Sequence, residues 1–367
     1  MAVRNNATGD AWVNSELSEG LEAAVLDKVH YLNYIGAGST SVVQKKDELI
    51  REAGEQITVT LRYQDTAAPL GESDTFETNE RAIVTASDSF VIGEMGTPYR
   101  WKTKMSRQRV KYEDREEALA AISDNLANAL DQSLMNQLAG YNATSGTTYG
   151  STMNGLNTIE PVDSAHQIYG GDATSDETLT TDGSDKFTLD LVSKAVYLAK
   201  SSVEPRIRPA QIPGLGEKYI VFIHPNQLWQ LRVQDSRWDK VQMAFLQGGF
   251  IDRNPLLTGA AGVWDDCLLV ESNRVPTGVH SSSGAEVTTA RRAILCGAQS
   301  AVIGWGRVGG SPGSFVWEEE RFDFGRERAI AGSCLVGIKA LGFQKPGNAD
   351  VSRFGTMVIS TDSQAPA

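Results

Sequence analysis

The chain has little of what catalytic sites are usually built from. Its 367 residues include only four histidines and three cysteines. His30, His166, His224 and His280 are scattered, with no H-x-x-x-H and no C-x-x-C, so no metal-ligand spacing is present. No phosphate-binding G-x-x-x-x-G-K-[ST] occurs, and the G-x-S-x-G string at 309–313 (GGSPG) leads into a strand-like run instead of the helix a nucleophile elbow needs. No run approaches the roughly 18 apolar residues of a membrane span. The first twenty residues are polar and lack the apolar core of a signal peptide, so the chain is expected to stay in the cytosol. Positive charge is also short. Lys and Arg number 34 against 46 Asp and Glu, a net charge of −12. That excludes a surface gripping phosphates throughout, but not a protein that encloses nucleic acid without gripping it. Cys267, Cys296 and Cys334 lie in apolar runs (DDCLLVES, AILCGAQSAV, AGSCLVGIKAL). Their odd count reads as buried, reduced thiols.

What is present is concentrated between Gln56 and Val110. Two strand-like runs, QITVTLRYQ and RAIVTASDSFVIG, flank the acidic stretch DTAAPLGESDTFETNE. Ile57, Val59, Leu61 and Tyr63 alternate with Thr58, Thr60 and Arg62, the period of a half-buried antiparallel strand. A hairpin with so long a polar tip is ill suited to burial in its own domain and better suited to lying on another molecule. A basic strand, YRWKTKM, follows. Arg100, Lys102 and Lys104 share one face of it, and Arg107, Arg109 and Lys111 come next. This reads either as a solvated strand face or as a docking stripe for an acidic segment. Glu72, Asp74, Glu77 and Glu80 of a neighbouring hairpin tip would supply such a segment.

Upstream, Ser15 can cap a helix with apolar positions Leu17, Leu21, Val25, Val29 and Leu32, stopped by Gly36 and Gly38. Downstream, a helix is predicted from Asp114 to about Ala139. Leu119, Ile122, Leu126, Leu130, Leu134 and Leu138 line one face, and Gly140 ends it. Its length would be on the order of 38 Å. Residues 141–186 are rich in Gly, Ser, Thr and Asp and read as a loop with little to pack. TLDLVSKAVYLAKSSV then reads as a helix, KYIVFIH as a buried strand, and the segment after Pro225 as partly helical. The last third is strand-rich. Segregated helices and strands indicate an α+β fold.

Three motifs have plainer readings than their chemistry suggests. Gly304, Gly306 and Gly309 match dinucleotide-fingerprint spacing, but a strand follows instead of the required helix, so a glycine-rich connection is favoured. Glu318, Glu319 and Glu320 are adjacent on a strand and must point to opposite faces, so they read as solvent-facing or interface charges. His224, at a strand end before Pro225, reads as a structural imidazole. No catalytic, cofactor or metal residues are assigned.

The order of these elements resembles the Hong Kong 97 fold of tailed-phage major capsid proteins. The local sequence is similar to one branch, the major capsid proteins of N-four-like podoviruses. The resembling segments are GEQITVTLRYQ, ALAAISDNLANALDQSLMNQLAGYN, HPNQLWQLRVQDSRWDKVQMAF, ESNRVP, RRAILCGAQSAVIGWGR and EEERFDFGRERAIAGSCLVGIKALGF, which follow one another along most of the chain. Gly54-Glu55 stands where that branch commonly has Gly-Asp. The resemblance implies an N-terminal arm (1–54), an extended E-loop hairpin (55–96) and a peripheral domain with the spine helix and a variable loop (97–186). It further implies an axial domain (187–305) and C-terminal strands returning to the peripheral domain (306–367). It implies a virion shell protein, assembled in the bacterial cytoplasm as hexamers and pentamers around double-stranded DNA, with portal, scaffold and decoration proteins as partners. No cofactor is implied. The competing readings are another virion component or adhesin, which the long helix disfavours, and a nucleotide-binding enzyme, which the missing helix after Gly309 disfavours.

Overall fold

The structure, a computed structural model, describes residues 11–51, 54–63, 67–72, 75–102, 114–145, 152–201, 205–212, 215–240, 260–307, 314–344 and 351–363. In chain order the elements are α1 (Ala11–Lys28), β1 (Ile35–Gly36), β2 (Val43–Lys46), α2 (Glu48–Arg51), β3 (Gln56–Arg62), β4 (Thr85–Val91), β5 (Gly93–Trp101) and α3 (Asp114–Ala139). After these come β6 (Gln167–Tyr169), α4 (Leu189–Ser201), β7 (Ala210–Ile212), β8 (Gly216–Ile223), α5 (Pro225–Gln234), β9 (Ala260–Trp264), β10 (Cys267–Glu271) and β11 (Thr277–Val279). The remainder are β12 (Glu286–Cys296), β13 (Ala301–Trp305), β14 (Phe315–Phe322), β15 (Glu327–Ala340), β16 (Gly342–Gln344), β17 (Val351–Arg353) and β18 (Thr356–Asp362).

Two sheets organise the molecule. In the first, β15 pairs with β13 over Val336–Ala340, with β14 over Glu327–Cys334 and with β5 over Arg328–Val336; β2 extends β13 and β1 extends β2. The second runs β6-β18-β12-β8-β10-β9, with β11 on β12 and β7 on β8. Pairing in the second sheet is mixed, and its central strands are apolar on both faces, as a doubly covered sheet requires. Helices α4 and α5 cover one face with Val192, Val196, Leu228 and Leu231. Toward the other lie α1, α3 and the first sheet.

The helix α3 has the bounds its pattern predicts. Its first half buries one stripe, with Ala118, Ile122 and Leu126, and leaves Asp124 and Asn125 in solvent. From Leu130 onward every residue is buried, including Asp131, Gln132, Ser133, Asn136 and Gln137. Those polar side chains bond outward to other segments: Asn136 donates to the Met153 carbonyl at 2.9 Å, and Gln137 to those of Asn154 and Asn157 at 2.6 and 3.0 Å. Gly140 ends the helix with φ +61°, where an added Cβ would lie 2.6 Å from Val162.

The carbonyls at that helix end are closed by two buried arginines. Arg353 donates from Nη1 to the Gln137 carbonyl at 3.1 Å, and Arg292 donates from Nη1 to those of Ala139 and Gly140 at 3.3 and 3.1 Å. Cations at a helix C-terminus complement its dipole. Arg292 also pairs with buried Asp176 at 2.7 Å.

Several expectations change. Helix α1 starts before Ser15 and ends at Lys28, short of Gly36, and Leu32 is exposed in a short 3-10 turn. The helix stops because the His30 amide turns to Asp131 Oδ2 of α3 at 3.2 Å. Leu21 and Val25 are buried in the chain's own core, and Ser18 Oγ accepts from the Trp317 amide at 3.1 Å, so this part of the expected arm is docked on its own subunit. Within the 141–186 loop, residues 152–186 do pack. β6 pairs in parallel with β18, while Asp176, Asp185 and His166 are buried. Composition hid this because the segment buries few apolar side chains, Ile159, Ile168 and Leu179, and is held by hydrogen bonds besides. Finally, β18 lies between β6 and β12 in the second sheet, so the last described strand does not return to the first.

Candidate assembly surfaces

The hairpin is two different things along its length. At its base β3 and β4 pair in register from Gln56↔Val91 to Arg62↔Thr85. Ile57, Val59, Ala86 and Phe90 are buried there against Val302, Leu341, Phe343 and Phe354. Burying a side chain such as Ile57 or Phe90 contributes about 1.5–3 kcal/mol. The base is therefore anchored in its own chain, contrary to the expectation for the whole hairpin. The pairing stops at Thr85, so Arg81–Val84 are not strand as predicted. In the tip, Glu72, Glu77 and Glu80 are exposed and form no ion pair among the described residues; Asp74 lies outside those residues. Phe76 and Ile83 are each 73 % exposed. The sequence reading missed this pair. The visible signal was a lone aromatic inside ESDTFETNE, which a polar tip does not need.

The basic stripe divides in a similar way. Arg100 is engaged by its own chain: it donates from Nε to Glu327 Oε2 at 2.8 Å and from Nη2 to the same oxygen, and its guanidinium lies 4.4 Å from the Phe322 ring centroid. Lys102 is exposed. Lys104, with Arg107, Arg109 and Lys111, lies outside the described residues. Neither Arg100 nor Lys102 forms an ion pair with the acidic tip of its own hairpin among the described residues.

Glu319 overturns the reading of the acidic triplet. Its neighbours Glu318 and Glu320 are exposed, but the Glu319 carboxylate is 2 % exposed and accepts from Arg115 Nε at 2.7 Å, Arg328 Nη2 at 2.5 Å and Trp317 Nε1 at 3.2 Å. Burial pushes its carboxyl up, and the hydrogen bonds from Arg115 and Arg328 overcome that, holding it below the usual carboxylate range. The clamp ties the start of α3 to β14 and β15.

The remaining motifs are structural. Gly304 sits inside β13, opposite Gly337, because the Phe90 ring occupies the place of a side chain: a Cβ there would be 2.6 Å from it. Gly309 is outside the described residues. His224 caps α5, with Nδ1 accepting from the Asn226 amide at 3.2 Å, and burial, with Arg291 nearby, lowers it to about 4. Cys267, Cys296 and Cys334 are buried and unpaired, their thiols raised by burial. Among the described residues no group of three His, Cys, Asp or Glu could hold a metal, and no helix is long and apolar enough to cross a membrane.

This architecture is the one found in solved phage shells. The capsid of Ralstonia phage GP4 matches with a TM-score of 0.73 at 23 % identity, covering 91 % of each chain. The cyanophage Pam1 capsid matches at 0.68 and 17 % identity over 92 % of each. The head of Helicobacter pylori bacteriophage KHP40 matches at 0.63 and 15 % over 92 % of each. The fold is thus Hong Kong 97-like, with α3 as its long helix. A family model described as phage capsid protein matches residues 5–365. The chain belongs to that family and is a phage capsid protein. No curated protein matches it.

Proposed function

We propose that this chain is the major capsid protein of a tailed phage of the N-four-like podovirus branch, closing as hexamers and pentamers into an icosahedral shell around double-stranded DNA. The hairpin carries this reading. Its base is built into the subunit, while its tip presents Phe76, Ile83 and unpaired carboxylates to solvent, as an element meant for a neighbour would. The branch is supported by the resembling segments quoted above. The tip would lie over an adjacent copy, with Glu72, Asp74, Glu77 and Glu80 facing Lys102 and Lys104. Arg100, tied to Glu327, would support that face from below. The first sheet with α1 and α3 would form the peripheral domain, and the second sheet with α4 and α5 the axial one. The net charge of −12 suits a wall that holds DNA without gripping it. Portal, scaffold and decoration proteins would be the partners, and assembly would take place in the host cytoplasm. The proposal needs no catalytic chemistry. Electron microscopy of the purified protein tests it: closed shells are expected, and small discrete oligomers under all assembly conditions would overturn it.

A further inference from the structure

The turn joining β14 to β15 is built against local preference. Asp323 and Phe324 both have positive φ, +48° and +49°, closed by the Gly325 amide on the Phe322 carbonyl at 3.1 Å. Such turns favour Asn-Gly or Asp-Gly, and a bulky aromatic at positive φ is disfavoured. Here Phe324 occupies the second position and is fully exposed. The turn is also braced, since Arg100 holds both Glu327 and the Phe322 ring at its base. Backbone strain combined with an exposed aromatic and a rigid support points to a presented anchor.

The same chain carries an apolar hole. A cavity of about 430 Å³ opens between α1, α3 and β13, walled by Leu26, Leu134, Trp305 and Phe315, with exposed Leu32 at its edge. Of its charged lining, buried Asp131 is paired with Arg274 at 3.6 Å and accepts from His30 at 3.2 Å, whereas Glu22 forms no ion pair among the described residues. Lys45, the cation of the lining, is already paired with Asp47 at 3.0 Å.

We infer that Phe324 of one copy seats in this cavity of a second copy, with Arg321 or Arg326 facing Glu22. Charge selects this knob over Phe76. The hairpin tip brings Glu72, Glu77 and Glu80, which Glu22 repels, whereas the Phe324 turn brings exposed Arg321, and Arg326 held by Asp323 at 3.6 Å. A knob and a hole at different places on one chain make a head-to-tail contact, which can propagate through a closed lattice. The inference rests on the shell reading.

The test uses the full chain with Leu32→Cys and Phe324→Cys, singly and together, assembled and then oxidised. Crosslinked dimers and higher multimers are expected from the double variant alone. Shells that form without that crosslink would overturn the contact while leaving the shell reading intact. Dimers from Phe324→Cys alone would show a tip-to-tip contact and overturn it too. If the wild-type chain forms no shells, the shell reading itself fails. A second pair removes dependence on disulfide geometry. Phe324→Gly should keep or raise the subunit's melting temperature, because the strain is relieved, yet lower the yield of shells at least tenfold. Leu26→Trp, which fills the hole from within, should lower it similarly. Wild-type yield from Phe324→Gly would sink the proposal.

Discussion

Charges at the end of α3 and charges at the hairpin tip are opposites in every respect. Around α3, Arg292, Asp176, Arg353 and Glu319 are all but removed from water, and each reaches a partner far away in sequence. At the tip, Glu72, Glu77 and Glu80 are exposed and form no ion pair among the described residues. The former hold one subunit together. The latter cost the subunit nothing and are available to another molecule. A single acidic chain thus separates charge that specifies the fold from charge left to solvent, and the two sets should respond differently to mutation, pH and salt.

The strongest way to break that comparison is at Arg292. Arg292→Met leaves Asp176 buried without its cation and frees the Ala139 and Gly140 carbonyls. Removing one partner of a buried pair costs about 3–5 kcal/mol. Urea unfolding should show that loss, and a midpoint within error of wild type would mean that the pair is not structural. The second test is pH at His224. Its folded value, about 4, lies below the unfolded value of about 6.5. The unfolded chain therefore binds a proton first as pH falls. The stability tied to the neutral ring is complete above about pH 6.5 and is lost on the way down to about 4. His224→Ser keeps a capping side chain and removes this slope; thermal melts at pH 7 and pH 5 should differ less in the variant.

A smaller effect is expected at Glu319. Its carboxyl is held below the usual range, so its contribution is present at neutral pH and is lost as pH falls through the carboxylate range near 4. Glu319→Gln should cost about 1–3 kcal/mol at pH 7, the worth of hydrogen bonds to a charged group, and less in acid. An equal loss at pH 7 and at pH 3.5 would contradict the clamp. The smallest effect on the subunit belongs to the tip. Deleting Pro69 to Thr78, or changing Lys102 to Glu, should leave its melting temperature unchanged and still depress shell formation. Reversing Glu72 and Glu77 to Lys in the Lys102→Glu background should restore part of it at low salt. A lower melting temperature for the deletion variant would show that the tip belongs to the fold after all.

Periodicity made α3 legible almost to the residue, because a 26-residue amphipathic pattern followed by glycine has few alternative readings. The pairing of β3 with β4 was legible for the same reason. What periodicity does not carry is partnership across long separations. Nothing near Glu319 announces Arg115, and nothing in the glycine- and serine-rich 152–186 segment announces that Arg292 will bury Asp176. Alternation correctly placed Glu318 and Glu319 on opposite faces, but it could not say which face was inside. The hairpin was legible as a pair of strands with one half-buried face, but what covers that face was not, since Val302, Phe343 and Phe354 come from distant segments.

The place of β18 has a consequence for how the chain becomes a subunit. Val358 pairs with Gln167 on one side and Ile294 on the other, so both flanking strands are made long before the strand that joins them. Until β18 arrives, the second sheet presents two open edges, and Arg353, a few residues upstream, has not closed the end of α3. Contacts this distant in sequence form slowly. A growing chain therefore passes through a stage with its hairpin complete and its central sheet open, when concentrated neighbours are a hazard. The second sheet is complete only when β18 is threaded between β6 and β12.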